Sequence, residues 1–346
     1  MHSLRERMDC VWQWVDAAAR VKNSIESYES ELSNSTGLSI PGIRYAVARA
    51  LEVDPSESDV LRLVERTSET PHVTVVLSAH VFTAPLRAIA IAAAAAPRVV
   101  VRPSRREPVF TRALVDHLSP SARAQTTVVS DLDLSTVRAG EIHAYGQGAT
   151  IDAIRAQLPP GVHLRAHGPG FGVALVTASC GAAAAIASDV VMFDQRGCLS
   201  PRFVMCVDTS VSAISVAQEI DVELTRMATS IPLGQLDNEE REGRRAYMDA
   251  MVFAGATVFE RASHAVVAGA PINTLPPTGR VLHVTSVSEQ WWTHLGTLAP
   301  YVTCIGTDDP SCVPEDLCKR TRVCALGAMQ SPPLDGPVDV RDVGQR

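Results

Sequence analysis

The sequence predicts an α/β protein built from two open, Rossmann-type α/β domains after an N-terminal helical segment, and three observations carry that expectation. From Val73 onward, short β-branched runs alternate with alanine-rich helical runs, the pattern of parallel strands joined by crossover helices. The alternation restarts at Gly172 after a glycine-rich break, so one sheet does not account for the whole chain. Residues 1–70 lack such runs and carry helix-start signals instead.

The first segment opens with an amphipathic stretch, and Ser39 before Pro41 forms a cap and first-turn pair that starts a helix over Gly42–Leu51. A further helix follows Pro55. The first α/β unit then reads as a strand at TVVL, a helix from Ala84 to Ala96 and a strand at RVVV. TTVVS at 126–130 and IHAY at 142–145 continue the sheet, and a helix follows from Thr150 to Leu158. The second unit reads as a strand at GVALV, an alanine helix, a strand at DVVMF, the turn DQRGCLSP and a strand at PRFVMCV. A long helix over Val211–Ser230, the charged segment NEEREGRRAYMDAM and the strands ATVFE, HAVVAG and RVLHVT complete it. The expected division is a helical region at 1–70, a cofactor domain at 71–166, a catalytic domain at 167–322 and a tail at 323–346 that packs back.

With 346 residues, 46% of them hydrophobic, the chain can bury substantial cores. A net charge of −7 gives no general basic field for nucleic acid or an anionic membrane. The charged start, MHSLRERMDCVWQW, lacks the apolar core of a secretion signal, so a cytoplasmic location is expected. Gly172–Phe193 is long enough to span a bilayer, but its Gly, Ala and Ser content and Asp189 read as a buried strand and helix. The eight cysteines form no C-x-x-C pair, so no metal site is expected. Cys198, expected directly after a strand and in a Gly-bearing turn beside Arg196, has the setting of a reactive thiol. The same position also suits a small packed hydrophobe.

FDQRGCLSP, residues 193–201, resembles the cysteine motif of the LuxC-type acyl-CoA reductases, the long-chain fatty acyl reductase branch of the aldehyde dehydrogenase superfamily. VTVVLSAHVFTAPL with RVVVRPSRREP, then HAYGQGATIDAI, RAHGPGFGVALV and RVCALGAMQSPPLDG, resemble further segments of that family in its order, over residues ~35–336. The resemblance implies an aldehyde-dehydrogenase-like fold and a nicotinamide-dependent reduction of an acyl thioester to an aldehyde, with Cys198 as nucleophile.

Three positions sharpen this. Where aldehyde-oxidising relatives carry a glutamate that activates water, the chain has Ala166 before His167, Gly168 and Pro169, and alanine takes no proton. Where many NAD-using relatives have Lys-Pro-Ser-Glu, it has Arg102-Pro103-Ser104-Arg105, which favours NADPH over NADH because a guanidinium forks onto phosphate. Arg105 with Arg106 as a solvated surface pair is the alternative. Where the family has an oxyanion-holding asparagine, the chain has His80, a working substitute, a sign of lost activity or an ordinary strand-end histidine.

His167 is a candidate proton donor or a packing residue, and Tyr145, Gly146, Thr150 and Gly168 join Arg102, Ser104 and Arg105 as expected cofactor contacts. Phe203, Met205, Trp291 and Trp292 either line an acyl tunnel or belong to the core. The implied partners are acyl-CoA or an acyl carrier, an acyl-activating synthetase and further copies of the chain. A CoA-acylating aldehyde dehydrogenase and a non-catalytic or acyl-carrying relative are the competing functions.

Overall fold

The computed structural model describes residues 3–177, 181–207, 211–270, 272, 274–287 and 290–341, which form two compact units. The first comprises the N-terminal residues up to Thr36, Val47–Pro169 and the stretch from Pro333; the second comprises Gly37–Ala46 and Gly170–Pro332.

The helices of the N-terminal segment are α1 (Leu4–Asn23), α2 (Glu29–Thr36), α3 (Ile40–Ala50) and α4 (Glu57–Glu65), of which α2 was not anticipated. A reciprocal capping box starts α1, since Ser3 Oγ accepts from the Glu6 amide while the Glu6 carboxylate accepts from the Ser3 amide. Met8, Val11, Trp14, Val15, Ala18 and Val21 recur at helical spacing and are buried.

In the first unit, β1 (Val73–Val76), α5 (Ala84–Ala95), β2 (Val99–Arg102), α6 (Val109–Asp116), α7 (Pro120–Gln125), β3 (Thr126–Val128), β4 (Gly140–Tyr145), α8 (Gly148–Arg155) and β5 (Val162–His167) follow in turn. The sheet order is β3-β2-β1-β4-β5, all parallel. The order reverses between β1 and β4, and in an open α/β sheet such a switch point opens a crevice at the carboxyl ends of the strands. α1 lies against α5, so α1, α2 and α4 belong to this unit, while most of α3 belongs to the second. The stretch from Pro333 is stitched to α5: the buried Arg87 guanidinium donates to the carbonyls of Pro333 (2.8 Å) and Gly336 (2.5 Å) and pairs with Glu52.

Register places Glu141, His143 and Tyr145 of β4 beside His163, Arg165 and His167 of β5, an unusually polar sheet face. Burial opposes the charge on Glu141, yet hydrogen bonds from His143 (3.0 Å) and Arg165 (2.5 and 2.9 Å) outweigh it and lower its pKa from 4.5 to about 2. A depressed folded-state value means a stability contribution present above about pH 4.5 and lost as pH falls toward 2. Glu141→Gln is therefore expected to flatten the acid limb of the stability profile between those values, measured by urea unfolding across pH; an unchanged limb would remove Glu141 from its cause.

The second unit contains β6 (Phe171–Val176), α9 (Ala182–Val191), β7 (Pro201–Cys206), α10 (Ala213–Ala228), α11 (Asn238–Phe253), β8 (Thr257–Glu260), β9 (Ala265–Ala268), β10 (Val281–Ser286), β11 (Val302–Thr307), α12 (Glu315–Arg320) and β12 (Arg322–Ala325). The order is β12-β11-β6-β7-β10-β9-β8, parallel except for the edge pair β8/β9. Every residue of β6 and β7 is buried, consistent with their nearly unbroken apolar runs. Phe203, Met205 and Trp291 are among the buried core residues here, which favours core over tunnel for them. β11 and β12 were not anticipated, and the tail expected from 323 divides, its first residues completing this sheet and those from Pro333 joining the first unit.

Candidate active site

Cys198 does not follow a strand. The expected strand DVVMF is instead the last turn of α9, then a 3-10 turn over Met192–Gln195. The β-branched pair Val190 and Val191 is overridden because a helix buries Ile186, Ala187 and Val190 together on one side and sets Asp189 where backbone donors reach it. The buried Asp189 carboxylate accepts from the amides of Gly327 (2.7 Å) and Met329 (3.1 Å), so the segment RVCALGAMQ is held to α9 by a single side chain.

After α9 the backbone enters a conformation that L-residues avoid. Phe193, Asp194 and Gln195 have φ of 53°, 49° and 64°, three consecutive non-glycine residues in the left-handed region. Such a run costs about 1–2 kcal/mol per residue and persists only where its surroundings impose it. Those surroundings are specific. The buried Asp194 carboxylate takes Arg280 Nε (2.8 Å) and Nη2 (2.7 Å) and the Gly234 amide (3.0 Å), while its carbonyl takes the Gly279 amide (3.1 Å). The Gln195 side chain donates to the carbonyls of Pro201 and Val281 and accepts from the Val281 amide, each at 2.7 Å, joining the first residues of β7 and β10.

The strained segment delivers the chain into a tight turn closed by the Ser200 amide on the Gly197 carbonyl (3.1 Å), with the half-buried Cys198 at its second position. The Gly172 amide bonds Ser200 O at 2.8 Å, and a Cβ at Gly172 would lie 2.4 Å from Leu199 O, so β6 approaches the turn as only glycine permits. Gln330 Nε2 donates to Ser200 Oγ (2.8 Å), and the Thr303 hydroxyl of β11 lies within hydrogen-bonding distance of both Cys198 O and Phe171 O, which share its single proton.

In the first unit the expected cofactor residues gather at carboxyl ends of parallel strands. Arg102 ends β2, with Ser104 and Arg105 just beyond it; Tyr145 ends β4, Gly146 follows, and Thr150 stands in the first turn of α8. Arg105 is exposed and pairs with the equally exposed Asp131 at 2.7 Å. A Cβ at Gly146 would meet Thr150 at an ordinary 3.6 Å, so the fold itself does not demand glycine there. Gly168 follows β5, where a Cβ would meet Ile151 at 3.6 Å. A guanidinium, hydroxyls and a helix start at strand ends form a donor set that fits a dinucleotide.

The family model for acyl-CoA reductase (LuxC) matches residues 65–330. The chain belongs to the acyl-CoA reductase family. No curated protein matches it. Among solved structures it is similar to an NAD-dependent benzaldehyde dehydrogenase from Corynebacterium glutamicum (12% identity, 93% of this chain and 81% of that one, TM-score 0.67). It is also similar to a Mycobacterium tuberculosis aldehyde dehydrogenase complexed with NAD+ (14%, 93% and 78%, TM-score 0.63) and to an NADP-dependent glyceraldehyde-3-phosphate dehydrogenase from Bacillus halodurans C-125 complexed with NADP (14%, 94% and 79%, TM-score 0.64). At these identities the likeness establishes an aldehyde-dehydrogenase fold. This acyl-CoA reductase family member is thus an oxidoreductase acting on acyl groups.

Within this acyl-CoA reductase, Arg196 stands differently from expectation, its guanidinium engaged by Glu240 (2.7 and 3.0 Å) and Gln235 O (2.9 Å). Its guanidinium is buried and also stands 3.8 Å from the Asp194 carboxylate. His80 lies exposed in the loop between β1 and α5. His167 ends β5 and stacks on Tyr145, ring centroids 4.3 Å apart and nearly parallel. Burial, followed by the nearby His143, lowers its pKa to about 4, so at neutral pH it is an uncharged ring. The geometry favours packing over proton donation. Asp189, Arg280, Thr303 and Gln330 were missed as supports of the turn; only the unusual run Phe193-Asp194-Gln195, lacking glycine before a tight turn, could have signalled them. Among the described residues no cluster suited to a metal ion occurs, and no helix is long and apolar enough to cross a membrane.

Proposed function

We propose that this reductase converts an acyl thioester, carried on coenzyme A or on a protein, to an aldehyde through an acyl-Cys198 thioester, with NADPH as reductant and fatty acyl chains as substrates. The observation that carries the proposal is the turn at Cys198, where three left-handed residues and a buried Asp194–Arg280 pair hold a half-buried thiol in one place. A merely packed cysteine requires no such backbone.

The Cys198 thiolate attacks the acyl carbonyl and the carrier thiol departs with a proton. The Cys198 amide stabilises the oxyanion, and His80 stands in the sequence where the resemblance places an oxyanion-holding asparagine. When bound, the reduced nicotinamide supplies a hydride to the thioester carbon. The resulting thiohemiacetal collapses, releasing aldehyde and regenerating the thiolate. Ala166, buried in β5, offers no base to activate water, so the acyl-cysteine survives to be reduced. Tyr145 with its stacked His167, together with Gly146, Thr150 and Gly168, would hold the nicotinamide half, and Arg102, Ser104 and Arg105 the adenosine half.

The test is a panel of acyl-CoAs with intact mass measured before NADPH is added and aldehyde measured after. Aldehyde formed only with NADPH and preceded by an adduct supports the proposal, whereas an adduct that NADPH never discharges supports an acyl-carrying protein instead. Arg105→Ala is expected to weaken NADPH binding about 10- to 100-fold while changing NADH little, the size of a charge-assisted contact to phosphate. Nucleotide titration by fluorescence measures it, and an unchanged NADPH/NADH ratio would return Arg105 to the solvated surface pair.

A further inference from the structure

Cys198 occupies the second position of the turn closed between Gly197 and Ser200, so its carbonyl belongs to the central peptide of that turn. That peptide is the one that flips by roughly half a revolution between type I and type II turns. In most turns its carbonyl faces water. Here it is met by the hydroxyl of Thr303, a fully buried residue of β11 that also reaches Phe171 O (3.1 Å) at the start of β6. Thr303 is itself wedged in place, since a Cβ on Gly170 would lie 2.3 Å from its Cγ2. Its neighbours Val302 and Cys304 are buried in β11, and the register of β11 against β6 shifts between them, an irregularity centred on Thr303.

We infer that Thr303 is a positioning residue for the nucleophile, its hydroxyl locking the central peptide of the Cys198 turn in one orientation. Without that bond the peptide can flip, and its carbonyl can swing toward the sulfur and oppose the thiolate's charge. With it, the carbonyl end of the peptide dipole is held at β11 and the sulfur keeps one electrostatic environment. The inference rests on Cys198 being the nucleophile, but it assigns a role the cysteine motif does not contain: Thr303 lies far along the chain and only the sheet order β11-β6-β7 brings it to the turn.

The experiment compares wild type, Thr303→Val, Thr303→Ser and Cys198→Ala by two readouts: the rate of Cys198 alkylation by iodoacetamide across pH, followed by peptide mass, and the rate of acyl-adduct formation with a medium-chain acyl-CoA. Thr303→Val keeps the shape and removes the hydroxyl, and is expected to slow both reactions about three- to tenfold at neutral pH, the worth of one hydrogen bond, and to move the alkylation profile to higher pH. Thr303→Ser keeps the hydroxyl and is expected to restore both rates to near wild type. Protection of the buried Cys206 and Cys304 from iodoacetamide reports that the unit remains folded. A Thr303→Val protein that reacts at the wild-type rate overturns the inference, as does Thr303→Ser reacting as slowly as valine. No acyl adduct on wild-type Cys198, judged against Cys198→Ala, overturns the nucleophile assignment and the inference with it.

Discussion

Cys198→Ala is expected to abolish acyl-adduct formation and to lower aldehyde production by more than about 10⁴-fold, because every covalent step of the proposed reaction passes through this sulfur. Stability should barely change. Cys198 is half-buried in a turn, its carbonyl bond to Thr303 is made by backbone, and alanine retains the Cβ. Nucleotide binding should also persist, since the residues proposed to hold the cofactor lie in the other unit. Loss of both adduct and turnover with nucleotide affinity intact separates a chemical role from a folding one, and measurable turnover in the alanine protein would move the nucleophile elsewhere.

Asp194→Asn is expected to destabilise the second unit by about 3–5 kcal/mol, because it leaves the Arg280 guanidinium buried without its counter-charge. Asparagine tolerates the left-handed region, so this variant keeps the backbone preference while it removes the charge and turns one of the two acceptor oxygens into a donor. Asp194→Ala removes the charge, both acceptor oxygens and part of that tolerance, and should fall further. Both should disorganise the segment before Cys198, so thiol reactivity and turnover are expected to decline with stability. Urea unfolding together with labelling of the buried Cys206 and Cys304 measures the effect. If Asp194→Asn keeps both its stability and its Cys198 reactivity, the ion pair does not hold the turn.

Most of the elements were legible in the sequence because their patterns are local. β1 and β2 are short β-branched runs, β7 is a short, largely apolar run, and α5 is an alanine run with Pro85 in its first turn. DVVMF failed for the converse reason. Its β-branched residues resemble a strand, but the amide donors that satisfy Asp189 come from Gly327 and Met329, far along the chain, and they stabilise the helical alternative. β11 and β12 were missed where short polar and cysteine-containing strands blur the apolar pattern.

By itself the sequence determined the α/β class, the position of the cysteine proposed as nucleophile in its motif, the alanine at position 166 and the arginine at the end of β2, because each depends on which residue stands at a place. Only the tertiary structure decided how the cysteine is held. A left-handed backbone at Phe193, Asp194 and Gln195 is unfavourable for every local reason, and what stabilises it comes from Arg280, Gly234 and Val281, which no spacing along the chain connects to Cys198. Local preference is written residue by residue, whereas strain is sustained by partners that meet only when the sheet has formed.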